Sequence, residues 1–172
     1  GGVLLFPTLA CGIEESLIGD VDATMATVTA FNRWLEEDWG FAYQDRIYSA
    51  GYVCLMDLGR AIAELEWLLK AGARAITIRP GPPYGRSPGD PYFDPFWARV
   101  DEAGITVVVH AGDSGYSSQG YAADDSFSAG FSGGGWRPSV RSFAIERAAY
   151  DFLITLAFDK LFERFPNVRI AS

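Results

Sequence analysis

Short apolar runs alternate along this chain with longer stretches in which apolar residues recur every third or fourth position. That alternation predicts parallel strands joined by helices. Strands are expected near 3–6, 47–55, 74–79, 105–110 and 168–171, and helices near 24–38, 58–71, 94–103 and 143–165. The helix at 58–71 has the clearest pattern. Leu58, Ala61, Ile62, Leu65, Leu68 and Leu69 share one face, Asp57 precedes them as N-cap, and Gly72 follows as the stop. The last helix repeats the logic with Ile154, Ala157, Phe158, Leu161 and Phe165, and Pro166 closes it because proline cannot continue the hydrogen-bond ladder. Ile105-Thr106-Val107-Val108-Val109 is mostly β-branched and carries no alternating charge, as a central strand covered on both faces would be. Val3-Leu4-Leu5-Phe6 is expected to be a buried strand as well.

From Gly112 to Ser142 the periodicity stops, and glycine and serine surround single aromatics at Tyr116, Tyr121, Phe127, Phe131 and Trp136. A loop this long in a compact domain is functional or disordered, and its place after a strand puts it on the catalytic face if the sheet is a barrel. A doubly wound nucleotide-binding sheet is the competing architecture. It needs G-x-G-x-x-G or a G-K-[ST] ending between strand and helix, and the chain has neither; its triple glycine, Gly133 to Gly135, lies inside the loop. Residues 1–172 therefore read as one domain. Because the chain enters a strand directly after Gly1 and stops at Ser172 behind another apolar run, it is expected to be an internal piece of a longer barrel.

Composition narrows the partners. Hydrophobic residues at 49% and aromatic residues at 15% exclude a disordered chain. A formal charge of −8 without any basic stripe argues against nucleic acid, which draws on clustered Lys and Arg. The opening apolar run is too short to span a bilayer, so no membrane association is expected. Cys11 and Cys54 form no C-x-x-C pair, which supports neither a disulfide framework nor a thiolate zinc site and fits a reducing, cytoplasmic setting. Both are expected to behave as small buried apolar residues.

In a parallel α/β barrel the chemistry sits where strands end in their C-terminal direction. The strand near 47–55 runs into Asp57, the strand near 74–79 ends in Arg79-Pro80-Gly81-Pro82, and the strand near 105–110 delivers His110-Ala111-Gly112-Asp113. His110 is the chain's one histidine. Imidazole is the commonest divalent-metal ligand and a general base near neutral pH, yet spacing alone leans toward a core histidine held by a backbone carbonyl. Arg79 reads equally as a fork for a carboxylate or as a strand-end arginine solvated or paired with a neighbouring acid. Asp57 is best taken as a helix cap, and Asp90 and Asp94, each beside proline, as turn and helix-start residues.

Three runs carry a resemblance: Gly72-Ala73-Arg74-Ala75-Ile76-Thr77-Ile78-Arg79-Pro80, then Asp90-Pro91-Tyr92-Phe93-Asp94-Pro95-Phe96-Trp97, then Glu102-Ala103-Gly104-Ile105-Thr106-Val107-Val108-Val109-His110-Ala111-Gly112. In this order they resemble the amidohydrolase-related family, the group that includes aminocarboxymuconate-semialdehyde decarboxylase and related hydrolases. Residues 161–172 resemble the segment that leads into that family's next active-site strand end. The resemblance implies an α/β fold, a partial (β/α)8 TIM barrel covering about strands two to six. It implies a metal-dependent hydrolase or decarboxylase, cleaving C–N or C–O bonds or releasing CO2 from a small carboxylate-bearing substrate. Matched to the family, His110 is a ligand of a divalent metal, zinc being the expected ion, and the remaining ligands fall before Gly1 and after Ser172. Arg79 then becomes the substrate-binding residue, and Asp113 the partner of the His110 ring nitrogen that faces away from the metal. The alternative is a non-catalytic remnant that folds through partner contacts, with His110 structural. An open arc of strands leaves two unpaired edges, so self-association as a homo-oligomer is also expected.

Overall fold

The computed structural model describes residues 1–17, 19–110 and 144–172. In chain order these form β1 (Val3–Leu5), α1 (Thr8–Ser16), α2 (Val21–Asp38), β2 (Ala42–Tyr43), β3 (Ile47–Ser49), β4 (Gly51–Tyr52), α3 (Leu58–Lys70), β5 (Ala75–Ile78), α4 (Asp94–Ala103), β6 (Thr106–Val109), α5 (Ala144–Phe158), α6 (Leu161–Arg164) and β7 (Arg169–Ala171). Two 3-10 turns, Pro83–Gly85 and Pro91–Phe93, lie between β5 and α4. The segment Gly112 to Ser142 and Asp113 within it lie outside the described residues.

β3 and β4 are one extended stretch that changes partner at Ala50. Its first half pairs in parallel with β1 and its second half in parallel with β5. β5 then pairs with β6 and β6 with β7, again in parallel. Only β2, alongside β3, runs antiparallel among the described strands. Apart from β2, strands adjacent in the arc are thus adjacent in sequence. That is the winding of a barrel, since a doubly wound sheet reverses its strand order at a switch point. The arc stays open, with β1 and β7 as its edges among the described strands.

Helices cover one face of the arc. Leu65 and Leu68 of α3, Phe96, Trp97 and Val100 of α4, and Phe152 and Leu156 of α5 bury themselves with Val53, Ile76, Ile78, Val107 and Val109. A Cβ on Gly51 would stand 2.3 Å from the Leu68 side chain, so glycine lets α3 approach the sheet closely. The opposite face carries the small residues Ala50, Ala75 and Val108. The anticipated caps are in place: Asp57 accepts from the Arg60 N–H at 2.9 Å, and Gly72 with φ 90 turns the chain out of α3. Asp90 accepts from the Tyr92 N–H at 2.8 Å, while Asp94 opens α4 and meets Arg164 at 3.1 Å.

One buried polar knot ties these layers together. The last β1 bond to the central strand is Ala50 N–H to the Leu5 carbonyl, at 3.0 Å. The next rung would need an N–H at Pro7, which has none. Helix α2 takes over: the Asn32 amide donates to the Tyr52 carbonyl at 2.7 Å, and the Tyr52 N–H donates to the Asn32 side-chain oxygen at 2.8 Å. The same amide donates to Glu64 of α3 at 2.9 Å. Glu64 also accepts from Thr29 at 3.1 Å and pairs with Arg33 at 2.8 Å, whose guanidinium lies over the Trp67 ring.

Two expectations are corrected, and two elements are new. The run Val3–Phe6 forms a strand as anticipated but is not buried, because among the described strands it is an edge with one neighbour; Val3 is 56% exposed. The helix expected over 143–165 is broken. Lys160 takes φ 57, because Asp159 accepts from Ser87 and from the Arg164 side chain, which also reaches the Gly89 carbonyl. The buried stripe of α5 accordingly runs through Ala148, Ala149, Phe152 and Leu156, while Ile154, Ala157 and Phe158 face outward. Finally, α1 and β2 were not anticipated; neither has a hydrophobic period long enough to stand out.

Replacing Asn32 by Ala should leave both Tyr52 backbone groups and the Glu64 carboxylate short of partners. The expected loss is on the order of 3 kcal/mol, since each buried polar group left unsatisfied costs about 1–3 kcal/mol. Urea denaturation of parent and variant measures it, and a loss under about 1 kcal/mol would mean the knot does not hold the layers.

Candidate functional site

Ile78 and Val109 are paired in register, so Arg79 and His110 leave neighbouring strands at the same level on the C-terminal edge. Ile78 and Val109 pack into the helix-facing core. Strand alternation therefore assigns positions 79 and 110 to the other face, that of Ala75 and Val108.

The Arg79 side chain is only 7% exposed, and Glu14 from α1 stands 3.9 Å away with 6% of its side chain exposed. Of the alternatives open for Arg79, a solvated arginine is thus excluded, and an acid lies beside it. The buried Tyr52 hydroxyl donates to Glu14 at 2.6 Å, so the strand held by Asn32 also carries the group that orients this carboxylate. Cys54, two residues on, completes the cluster. Burial first, and then the Glu14 charge, push its thiol well above the usual range. Glu14, Arg79, Leu55, Met56, Pro82 and Tyr84 line a recess at this edge.

His110 is half-buried, with its ring edge-on to Phe6 at 6.4 Å between centroids. Phe6 directly follows β1, so both ring positions belong to the same rim. Among the described residues no group of three or more His, Cys, Asp or Glu is placed to hold a metal ion. A catalytic zinc takes three protein ligands, so the described residues do not by themselves fit a complete centre; His110 offers one donor toward it. Cys54 is a free, buried thiol, and the Cys11 side chain lies outside the described residues.

The sequence reading missed Glu14 and Tyr52. A signal for Glu14 exists, since it falls four residues after the buried Ala10 and so on the inward stripe of α1. It becomes readable only once α1 is recognised as a helix. Tyr52 reads as a plain strand aromatic until its hydroxyl partner is known.

The high pKa of Cys54 gives a chemical expectation, because the thiolate is the reactive form. In a Cys11→Ser background, alkylation of the folded protein by iodoacetamide at pH 8 should run much slower than for a free thiol, because burial keeps the thiol protonated and short of reactive thiolate. Mass spectrometry of timed samples, with and without urea, reads this; rapid labelling of the folded protein would show the cluster to be open.

With the geometry in place, the chain can be set beside known proteins. A family model described as amidohydrolase matches residues 11–172. The chain shares 37% identity with an amidohydrolase of solved structure from Mycobacterium avium subsp. paratuberculosis K-10, covering 98% of this chain and 42% of that one with a TM-score of 0.80. A 5-carboxyvanillate decarboxylase from Novosphingobium aromaticivorans DSM 12444, solved with bound manganese and 3-methoxy-4-hydroxy-5-nitrobenzoic acid, is 22% identical over 88% of this chain and 40% of its own, with a TM-score of 0.66. A dihydroxybenzoic acid decarboxylase from Polaromonas sp. JS666, solved with manganese and 2-nitroresorcinol, is 18% identical over 87% of this chain and 43% of its own, with a TM-score of 0.63. At those identities the decarboxylases attest the fold alone. No curated protein matches significantly. The chain spans less than half the length of these solved chains. The family match over nearly the whole chain, the 37% identical relative and the sequential parallel arc together place this protein in the amidohydrolase family, as part of a (β/α)8 barrel.

Proposed function

We propose that this chain forms part of the active site of a metal-dependent hydrolase or decarboxylase that acts on a small carboxylate-bearing substrate. The observation that carries the reading is the level pairing of Arg79 and His110 on adjacent strand ends beside a recess, in a family of enzymes. Arg79 lines that recess and is the substrate-binding residue of this reading, because a planar guanidinium matches a carboxylate in two parallel hydrogen bonds. Glu14 and the Tyr52 hydroxyl fix where the guanidinium sits. His110 contributes one ligand to a divalent metal, either zinc, as the sequence resemblance implied, or manganese, as in the two decarboxylase structures. When bound, such a metal supplies a lowered water pKa or a polarised substrate oxygen. Asp113 keeps its proposed role beside His110. The setting of this reading is a reducing, cytoplasmic one.

In the full-length protein, His110→Ala, purified folded, should retain much less metal than the parent, because one metal–nitrogen bond is lost and a coordination position opened. Asp113→Asn should show a smaller loss. Elemental analysis per folded molecule makes the comparison. Unchanged metal content together with a lowered melting temperature in His110→Ala would instead mark a structural histidine.

A further inference from the structure

Past Arg79 the chain comes to the surface over residues 82–87 and is buried again at Pro88 and Gly89. Pro80, Pro82 and Pro83 have no N–H to give, and the backbone bonds of this stretch stay local: Gly85 N–H to the Pro82 carbonyl at 3.2 Å and Arg86 N–H to the Pro83 carbonyl at 3.1 Å. Among the described residues no main-chain bond ties it to the sheet. Yet Gly81, Pro82, Pro83 and Tyr84 form one side of the recess at Glu14 and Arg79, which has room for about one water. A larger partner reaches the buried Arg79 guanidinium through that recess only if this side moves.

What holds the side down lies at its far end. Ser87 donates to the Asp159 carboxylate. Arg164 sets Asp159 in place, donating to its carbonyl at 3.0 Å and to the Gly89 carbonyl at 2.7 Å, and pairs with Asp94 at 3.1 Å. Gly89 permits the close approach, since a Cβ there would stand 2.7 Å from the Asp159 side chain. Pro88 is pinned separately, its carbonyl accepting from the buried Trp97 indole at 2.7 Å. The contacts that cross Pro88 from Arg86, to Asp90 at 3.5 Å and to the Tyr92 ring at 4.5 Å, are solvent-exposed and weak. The joint itself is costly to keep. Lys160 stands in the left-handed region at φ 57, the buried Arg164 Nε and Asp94 Oδ1 make no hydrogen bond, and Tyr84 takes φ 52 in the stretch it restrains. A seam with these costs opens at a smaller free energy than the apolar core around it.

We infer that residues 82–87 are a lid over Arg79, hinged at Pro88 and latched through Ser87 to the Asp159–Arg164 joint. Closed, the lid leaves space beside the guanidinium for about one water. Lifted, it uncovers the guanidinium while Trp97 keeps Pro88 and the start of α4 in place. The prolines keep the lid stiff, so it moves as a unit rather than fraying residue by residue. The latch does not depend on any ligand; that the lid admits a carboxylate rests on the reading of Arg79 given above.

The test is timed modification of the full-length protein by phenylglyoxal, an arginine reagent, read at Arg79 by peptide mass spectrometry with the exposed Arg74 as internal reference. Where opening is rare and fast, the rate at Arg79 follows the open population. Arg79 in the parent should react far more slowly than Arg74. Ser87→Ala removes the latch hydroxyl, and Arg164→Lys keeps the charge but cannot span both carbonyls. Each should raise the Arg79 to Arg74 ratio about tenfold, the scale of one lost hydrogen bond to a charged group. Amide exchange in α3 should stay at the parent rate, and Ser87→Ala is mild enough to keep the fold. An unchanged ratio in both variants overturns the lid, as does a parent in which Arg79 reacts as fast as Arg74. Faster labelling with an equal loss of protection in α3 overturns it too, since the whole fold would then be loosened. If the variants label faster while Arg79→Gln binds benzoate as well as the parent does, the lid stands and the carboxylate reading fails.

Discussion

The backbone of Tyr52 is the point on which the described structure turns. Pro7 ends the ladder between β1 and the central strand, and beyond it the buried main-chain groups of Tyr52 bond to a side chain rather than to a strand. Asn32 satisfies both with one side chain. An amide is suited to this, since it offers a donor and an acceptor in one plane, as a peptide does. By standing in for a strand, the side chain anchors helix α2 where a neighbouring strand would otherwise be required. Through Glu64, the same contact fixes α3 and, through Arg33, the Trp67 ring.

That anchor reaches the candidate site within one residue. Tyr52 is held by its backbone from α2, and its hydroxyl reaches Glu14 on α1. Glu14 in turn faces Arg79 at the end of the next strand. Two buried charges are costly unless paired and hydrogen-bonded, so the positions of α1, β4 and the residue after β5 are mutually constrained. The cost of moving any one of them is an uncompensated charge in a desolvated place. The same desolvation keeps the Cys54 thiol protonated, so the cluster contributes an oriented guanidinium rather than a nucleophile.

The β5–α4 connection has a different character. Its 3-10 turns are held by short local bonds, such as Asp90 to the Tyr92 N–H, and by Trp97, whose indole N–H donates to the Pro88 carbonyl at 2.7 Å. A loop tied down at its far end by a fully buried tryptophan can hold Tyr84 in a strained conformation at its near end, because the strain has nowhere to relax. The rim of the recess is therefore built by the core rather than by the loop alone.

Much of this architecture is written in local pattern. The β-branched run Thr106–Val109, the apolar stripe and caps of α3, and the polar residues Arg79 and His110 at strand ends follow from side-chain periodicity and capping chemistry, which act over a few residues and can be read there. The family resemblance rests on the same strands. What local pattern misled was the last helix: its apolar period runs on through Asp159 and Lys160, but Arg164, which also reaches the Gly89 carbonyl, takes the Asp159 carbonyl while Ser87 takes the Asp159 carboxylate, and the helix breaks there. What it left unreadable was the pairing of distant polar groups. Asn32 with Tyr52, Tyr52 with Glu14, and Glu14 with Arg79 are separated by 20, 38 and 65 positions in the chain. By itself, then, the sequence determined most of the strands and helices, though not α1, β2 or the break after α5, together with the parallel winding and which strand ends carry Arg79 and His110, because each of those depends on neighbours along the chain. Only the tertiary structure decided that Arg79 lies buried against Glu14 and that Asn32 completes a strand ladder. A buried polar group takes whichever partner the packed layers bring to it, and no local period encodes that choice.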